Sequence, residues 1–156
     1  MAGYLVYWKT YWSQTDAGFP PRAFWSTDSE VFHSKVHPGD RLWVVIPAPE
    51  PHPDQWRLLG KIWVRRRNPE RSPSPWGDLH IEGDPDRSVF YDPSAQPDFT
   101  AVLLLLEFEG HTPIPVIGPQ IGKSLQSHGH RTLTDRDIVL LEEYGKALER
   151  VLPTNP

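Results

Sequence analysis

The chain has 156 residues, 18 prolines, no cysteine and a formal net charge of −4. That length suits one domain, residues 1–156, and the missing cysteine excludes disulfides, thiolate metal sites and a cysteine nucleophile. The acidic balance argues against a protein that coats nucleic acid without selectivity.

The elements follow in chain order. Tyr4 to Lys9 alternates as a strand, with Tyr4, Val6 and Trp8 on one face and Leu5 and Tyr7 on the other. Ser13 to Pro21, with Gly18, Pro20 and Pro21, reads as a loop. Ser29 to Lys35 is expected to form a short helix. His37-Pro38-Gly39-Asp40 suits a type II turn, with proline second and glycine third. Arg41 to Ile46 is then a strand, which the prolines of 47–53 cannot continue. Leu58 to Arg66 is the next strand. Gly60, Ile62 and Val64 share a core face, and Lys61, Trp63 and Arg65 share the other. Asn68 to Asp86 reads as irregular, and Ser88 to Tyr91 as a short edge strand. Phe99 to Phe108 is expected to be a strand buried on both sides. His111 to Gly118 is expected to be extended. Thr134-Asp135-Arg136-Asp137 has capping-box spacing. The helix after it carries an apolar stripe at Ile138, Leu141, Leu148 and Leu152, flanked by Tyr144 and Val151, and Pro153 stops it. Strands first and one good helix last give an α+β fold: a small curved β-barrel with flanking helices and a C-terminal helix.

Charge and rings are unevenly placed. Residues 1–75 carry ten Lys/Arg and seven Asp/Glu, a net of +3; residues 76–156 carry six and thirteen, a net of −7. All seven tryptophans lie before residue 77, and Tyr4, Tyr7, Trp8, Tyr11 and Trp12 crowd the first twelve positions. Such rings either fill the core or wall a pocket for a flat ligand. A flipped base is the ligand that best repays stacking between two rings. Ser13, Ser26 and Asp28 stand close by to read its edge. Arg65-Arg66-Arg67, with Arg57, Lys61 and Arg71 near, is the densest basic segment. It suits phosphate contact, or it is ordinary solvated charge at a strand end; Trp63 between Lys61 and Arg65 favours contact with backbone and base together.

Catalytic and metal signatures are weak. His128 and His130 form the one close histidine pair, with no third ligand at motif spacing. No HExxH, GxSxG or P-loop is present. No cofactor and no metal are expected. An enzyme using His33 or His37 as an acid–base is the remote alternative. With no basic-then-apolar leader and no apolar run longer than the six residues Ala101 to Leu106, a soluble, cytoplasmic protein without membrane contact is expected.

The segments Tyr4-Leu5-Val6-Tyr7-Trp8, Phe24-Trp25-Ser26, Gly39-Asp40-Arg41-Leu42-Trp43-Val44-Val45 and Leu58-Leu59-Gly60-Lys61-Ile62-Trp63-Val64 occur in that order. Ile121-Gly122-Lys123-Ser124-Leu125-Gln126 and Arg131-Thr132-Leu133-Thr134-Asp135 follow near the end. This layout resembles the EVE-like branch of the PUA superfamily, relatives of YTH domains. The resemblance implies a PUA-like barrel that binds DNA or RNA and holds a modified base in an aromatic cage, without catalysis of its own. It also implies a partner effector such as a nuclease. The cage candidates are Trp8, Trp12 and Trp25, with Tyr7 beside them and Trp43 or Trp63 as further walls. Phosphates would lie on Lys61, Trp63, Arg65, Arg66 and Arg67. The acidic total charge, the proline-rich stretch at 47–55 and the long loop at 67–87 depart from the family's compact pattern. The competing expectation is a protein-interaction module working through the acidic C-terminal half and the proline-rich loops.

Overall fold

One long strand organises the molecule, and shorter segments pair along it. The computed structural model describes residues 1–8, 11–14, 22–49, 55–110, 130–148 and 150–151. The strands are β1 (Gly3–Tyr7), β2 (Phe24–Thr27), β3 (Arg41–Pro47), β4 (Trp56–Arg67), β5 (Leu79–Gly83), β6 (Val89–Tyr91), β7 (His130–Thr132) and β8 (Arg150–Val151). The helices are α1 (Tyr11–Gln14), α2 (Glu30–Lys35), α3 (Thr100–Leu105) and α4 (Asp135–Lys146).

The strand order is β2-β5-β4-β3-β1-β7, and β6 lies between β4 and β8. β1 runs parallel to β3, and the other pairs are antiparallel, so the sheet is mixed. The register breaks between Val44 and Val45, and again between Val64 and Arg66. Such bulges raise the local twist and bend the strand. The sheet accordingly curls into a half-barrel with helices beside it, which is the expected α+β, barrel-like class.

Alternation sorts the core into two layers. Leu5, Trp43, Val45, Leu58, Leu103 and Leu141 form one, on the side of α3 and α4. Tyr4, Val6, Leu42, Val44, Ile62, Val64 and Ile81 form the other, with Phe32 of α2. The predicted two faces of β1, and the core-facing positions Ile62 and Val64 of β4, are therefore correct. Ser29 caps α2 by accepting from the Phe32 N–H, as its type predicts. Gly39 has φ +90°, and the Asp40 N–H bonds the His37 carbonyl at 3.0 Å, closing the expected turn. The buried Asp40 carboxylate accepts from the Ala2 and His37 N–H groups, tying the start of β1 to that turn.

Several expectations need correction. The Phe99–Phe108 segment is not a strand; it holds α3. Asp98 Oδ1 accepts from both the N–H and the hydroxyl of Thr100 in the turn that leads into the helix, whose N-cap is Phe99. Phe99, Leu103 and Leu106 are buried, while Leu105 is 58% exposed. That is helical spacing, hidden because nearly every position is apolar. The supposedly irregular 68–86 segment contains β5. The 88–91 strand is not an edge, since β6 pairs on both sides. The terminal helix has the full capping box of Thr134 and Asp137 but ends at Lys146. The Ala147 N–H closes on Tyr144 and Gly145 carbonyls, and Val151 then joins β8 instead of extending the apolar stripe. His111 to Gly118, His128, Leu152, Pro153 and most of the 13–21 loop lie outside the described residues. Among the described residues, no helix is long and apolar enough to cross a membrane.

Candidate functional site

A chain of rings lies at the margin of the second core layer. Trp8 follows β1, and its N–H donates to the Val45 carbonyl at 2.9 Å. Its indole meets Tyr11 at 5.1 Å, Trp25 at 6.4 Å and Trp76 at 6.3 Å between centroids. Tyr11 in turn meets Trp12 at 5.0 Å. The four interplanar angles fall between 80° and 89°, the edge-to-face geometry that ring quadrupoles favour. Trp12 is anchored by its Nε1–H, which donates to the Pro47 carbonyl at 2.7 Å. Tyr11 is buried, Trp8, Trp12 and Trp25 are half-buried, and Trp76 is 44% exposed.

The three expected cage tryptophans, Trp8, Trp12 and Trp25, are thus linked in one cluster. Trp76 is the member that sequence reasoning missed, because it sits in the segment read as irregular. Its turn is firmly held. Gly77 has φ +132°, and a Cβ there would lie 2.7 Å from the Thr27 Cα. The Ser74 hydroxyl donates to the Gly77 carbonyl at 2.6 Å. Asp28 accepts from the Asp78 N–H at 3.0 Å, so this carboxylate fastens the Trp76 turn to β2.

Other expected pocket residues lie elsewhere. Tyr7 faces the opposite layer and packs edge-on against Trp56 at 5.3 Å; burial pushes its phenol up to about 12. Trp43 is wholly buried in that same layer, which corrects the idea that it walls a solvent-reachable pocket. Ser26 lies on the face of β2 opposite Trp25. Its hydroxyl is 2.8 Å from His80 Nδ1, and His80 Nε2 donates to the Ser72 carbonyl at 2.8 Å. The Ser72 carbonyl can only accept, so in the neutral ring Nδ1 is the acceptor and the Ser26 hydroxyl donates to it. Ser13 is in α1, and its side chain lies outside the described part.

The basic segment divides its labour. Lys61 Nζ is 2.9 Å from Glu142 and 5.3 Å above the Trp43 ring. Trp63 packs beneath Arg41 and Arg87, at 5.8 and 5.3 Å. Arg67 donates to the His33 and Ser34 carbonyls at the end of α2, at 3.2 and 2.9 Å, a structural cap. Arg66 pairs with Glu82, and that hydrogen bond holds the Glu82 carboxyl below its ordinary range. Arg65 is exposed and makes no ion pair with a described residue. The continuous phosphate face expected of these five residues is therefore broken up: three of them are engaged with Glu142, Glu82 or the end of α2.

His33 Nε2 lies 3.1 Å from the His80 carbonyl and serves as a donor to it. Among the described residues, no three His, Asp or Glu side chains are grouped to hold a metal ion. No protein-family model and no curated protein matches the chain.

Proposed function

We propose that the protein is a nucleic-acid-binding module of the PUA/EVE-like kind that inspects a modified base at the tryptophan cluster and performs no chemistry of its own. The observation that carries this reading is the convergence of Trp8, Trp12, Trp25 and Trp76 at an exposed margin of the core. A core of this size has no need of an exposed indole, Trp76, set against Trp8, which itself meets Trp25. Stacking a base on such a platform is worth roughly 1–3 kcal/mol. Extruding a paired base costs a few kcal/mol, so the reading suits single strands or bases that leave the stack easily. The rings touch one another, so the base enters beside Trp76, the most exposed of them, with Trp8 and Trp25 as perpendicular walls. Cleavage or signalling would fall to a partner effector such as a nuclease, in the cytoplasm.

Tryptophan fluorescence and calorimetry at low salt test this against DNA and RNA strands with and without methylated or hydroxymethylated bases. One modified class should bind at least about tenfold tighter than its unmodified form, and Trp76→Ala should abolish that preference. No binding to any of these strands would sink the proposal.

A further inference from the structure

A second concave site lies directly behind the ring cluster. It is a cleft of about 250 Å³ lined by Arg22, Phe24, Arg65, Arg66, Glu82 and Gly83. Phe24 and Glu82 are cross-strand partners, and so are Trp25 and Ile81. Successive side chains of a strand point to opposite faces. Trp25 and Ile81 therefore turn toward the core and the rings, while Phe24 and Glu82 turn toward the cleft. One strand, β2, separates the two sites.

Regular alternation would also send Arg65 and Arg66 to opposite faces of β4. They line one cleft because the ladder to β5 is irregular between Val64 and Arg66. A bulge re-aims side chains in this way and is over-represented at functional rims. Arg22 joins them from the start of β2, its guanidinium 5.6 Å above the Phe24 ring. Three guanidiniums thus face one carboxylate, Glu82, which Arg66 already engages. The acids that follow do not make up the difference: Asp84 is engaged by Arg87 at 3.8 Å and by the Asp86 N–H at 2.9 Å.

We propose that this cleft is an anion site for phosphate, and that it holds a backbone phosphate of the strand whose base enters the ring cluster. Planar guanidiniums match phosphate oxygens in pairs, which favours phosphate over a single carboxylate. Phe24, covered by Arg22 and stacked on His80 at 5.3 Å, walls one side of the cleft. Base and phosphate would then straddle β2. The anion site stands on the cleft alone; its assignment to a nucleic-acid strand rests on the base-reading proposal.

Inorganic pyrophosphate, titrated at low salt and followed by two-dimensional amide NMR, tests the cleft without any base. Phe24, Arg65, Arg66 and Gly83 should shift. The exposed double variant R22Q/R65Q should weaken binding at least about tenfold, and E82Q, which removes the competing carboxylate, should strengthen it. Absence of shifts at millimolar pyrophosphate, or binding untouched by R22Q/R65Q, overturns the site. Oligonucleotides then test the strand assignment. An abasic strand that still needs Arg22 and Arg65 supports it. An intact strand that binds R22Q/R65Q as well as the parent overturns it. Pyrophosphate binding without binding of any oligonucleotide would fell the base-reading proposal and the strand assignment while leaving the anion site in place.

Discussion

At the scale of single residues, Asp137 does the most with the least exposure. It is 1% exposed, and its carboxylate accepts from the N–H groups of Glu107, Phe108 and Thr134. It therefore caps α4 and also holds Phe108, a buried aromatic at φ +56°, in the left-handed region that such residues rarely visit. Asp137→Ala leaves those buried donors without an acceptor, and each such loss costs about 1–3 kcal/mol. A loss of about 3 kcal/mol or more in urea unfolding is the expected result, whereas a change below ~1 kcal/mol would show that water replaces the carboxylate easily. Tyr7 offers a prediction in pH. Burial raises its phenol from 10.0 to about 12, so the fold favours the protonated ring. The stability this contributes is complete below pH ~10 and is lost as pH climbs through about 12. Denaturant midpoints measured from pH 8 upward should fall over that window, and Tyr7→Phe should fall less steeply. Equal slopes for the two chains would show that Tyr7 ionises as freely as in the unfolded chain.

At the scale of elements, legibility in the sequence follows from how local the signal is. β1 and β4 announce themselves through alternation, β3 through the Pro38-Gly39 turn before it and the prolines after it, and α2 and α4 through Ser29 and Thr134. α3 does not, because a uniformly apolar run carries no period and its N-cap, Phe99, is not a capping residue type and makes no side-chain cap bond. β5 was hidden by its flanks: Gly77 and Asp78 precede its five residues, and Asp84-Pro85-Asp86 follow them. α4 stops early because β6 has an open side that Val151 fills, a long-range demand no helical periodicity contains. Gly77 sits where such a demand touches the site. Its φ of +132° and the Thr27 backbone pressed against it leave no space for a methyl group. Gly77→Ala should therefore displace the Trp76 turn while the sheet survives. Near-ultraviolet dichroism should lose coupled-indole intensity, and far-ultraviolet dichroism should keep its strand signal. An unchanged indole signal would mean that Trp76 is positioned independently of this turn.

At the scale of the whole molecule, much of the front half's positive charge is paired with carboxylates of the same chain. Arg41 and Lys61 share Glu142, Arg66 has Glu82, and Arg71 has Glu30. The ion pairs across the two halves, Arg41 and Lys61 with Glu142 above all, show why charges counted by sequence half do not map the charge of the folded surface. Trp8 and Trp12 are legible as a pair because both follow the end of β1, and Trp25 comes on the next strand; Trp76 is not, since only the fold brings residue 76 beside residue 8. These placements set the salt dependence. If binding engages only the Arg22, Arg65 and Arg66 cleft, one backbone phosphate is neutralised there. For a single strand each neutralised phosphate adds roughly −0.7 to the slope of log K against log salt, so a slope near −0.7 is expected. R22Q/R65Q should bring it toward about zero. A protein that coats nucleic acid would show a slope of about −5 or steeper and little preference among bases. A shallow slope joined to a strong base preference would place most of the affinity in the rings. A steep one would mean that cations now engaged with Glu142, Glu82 and Glu30 are released to the strand on binding, and alanine at those three glutamates would then tighten binding and steepen the slope further.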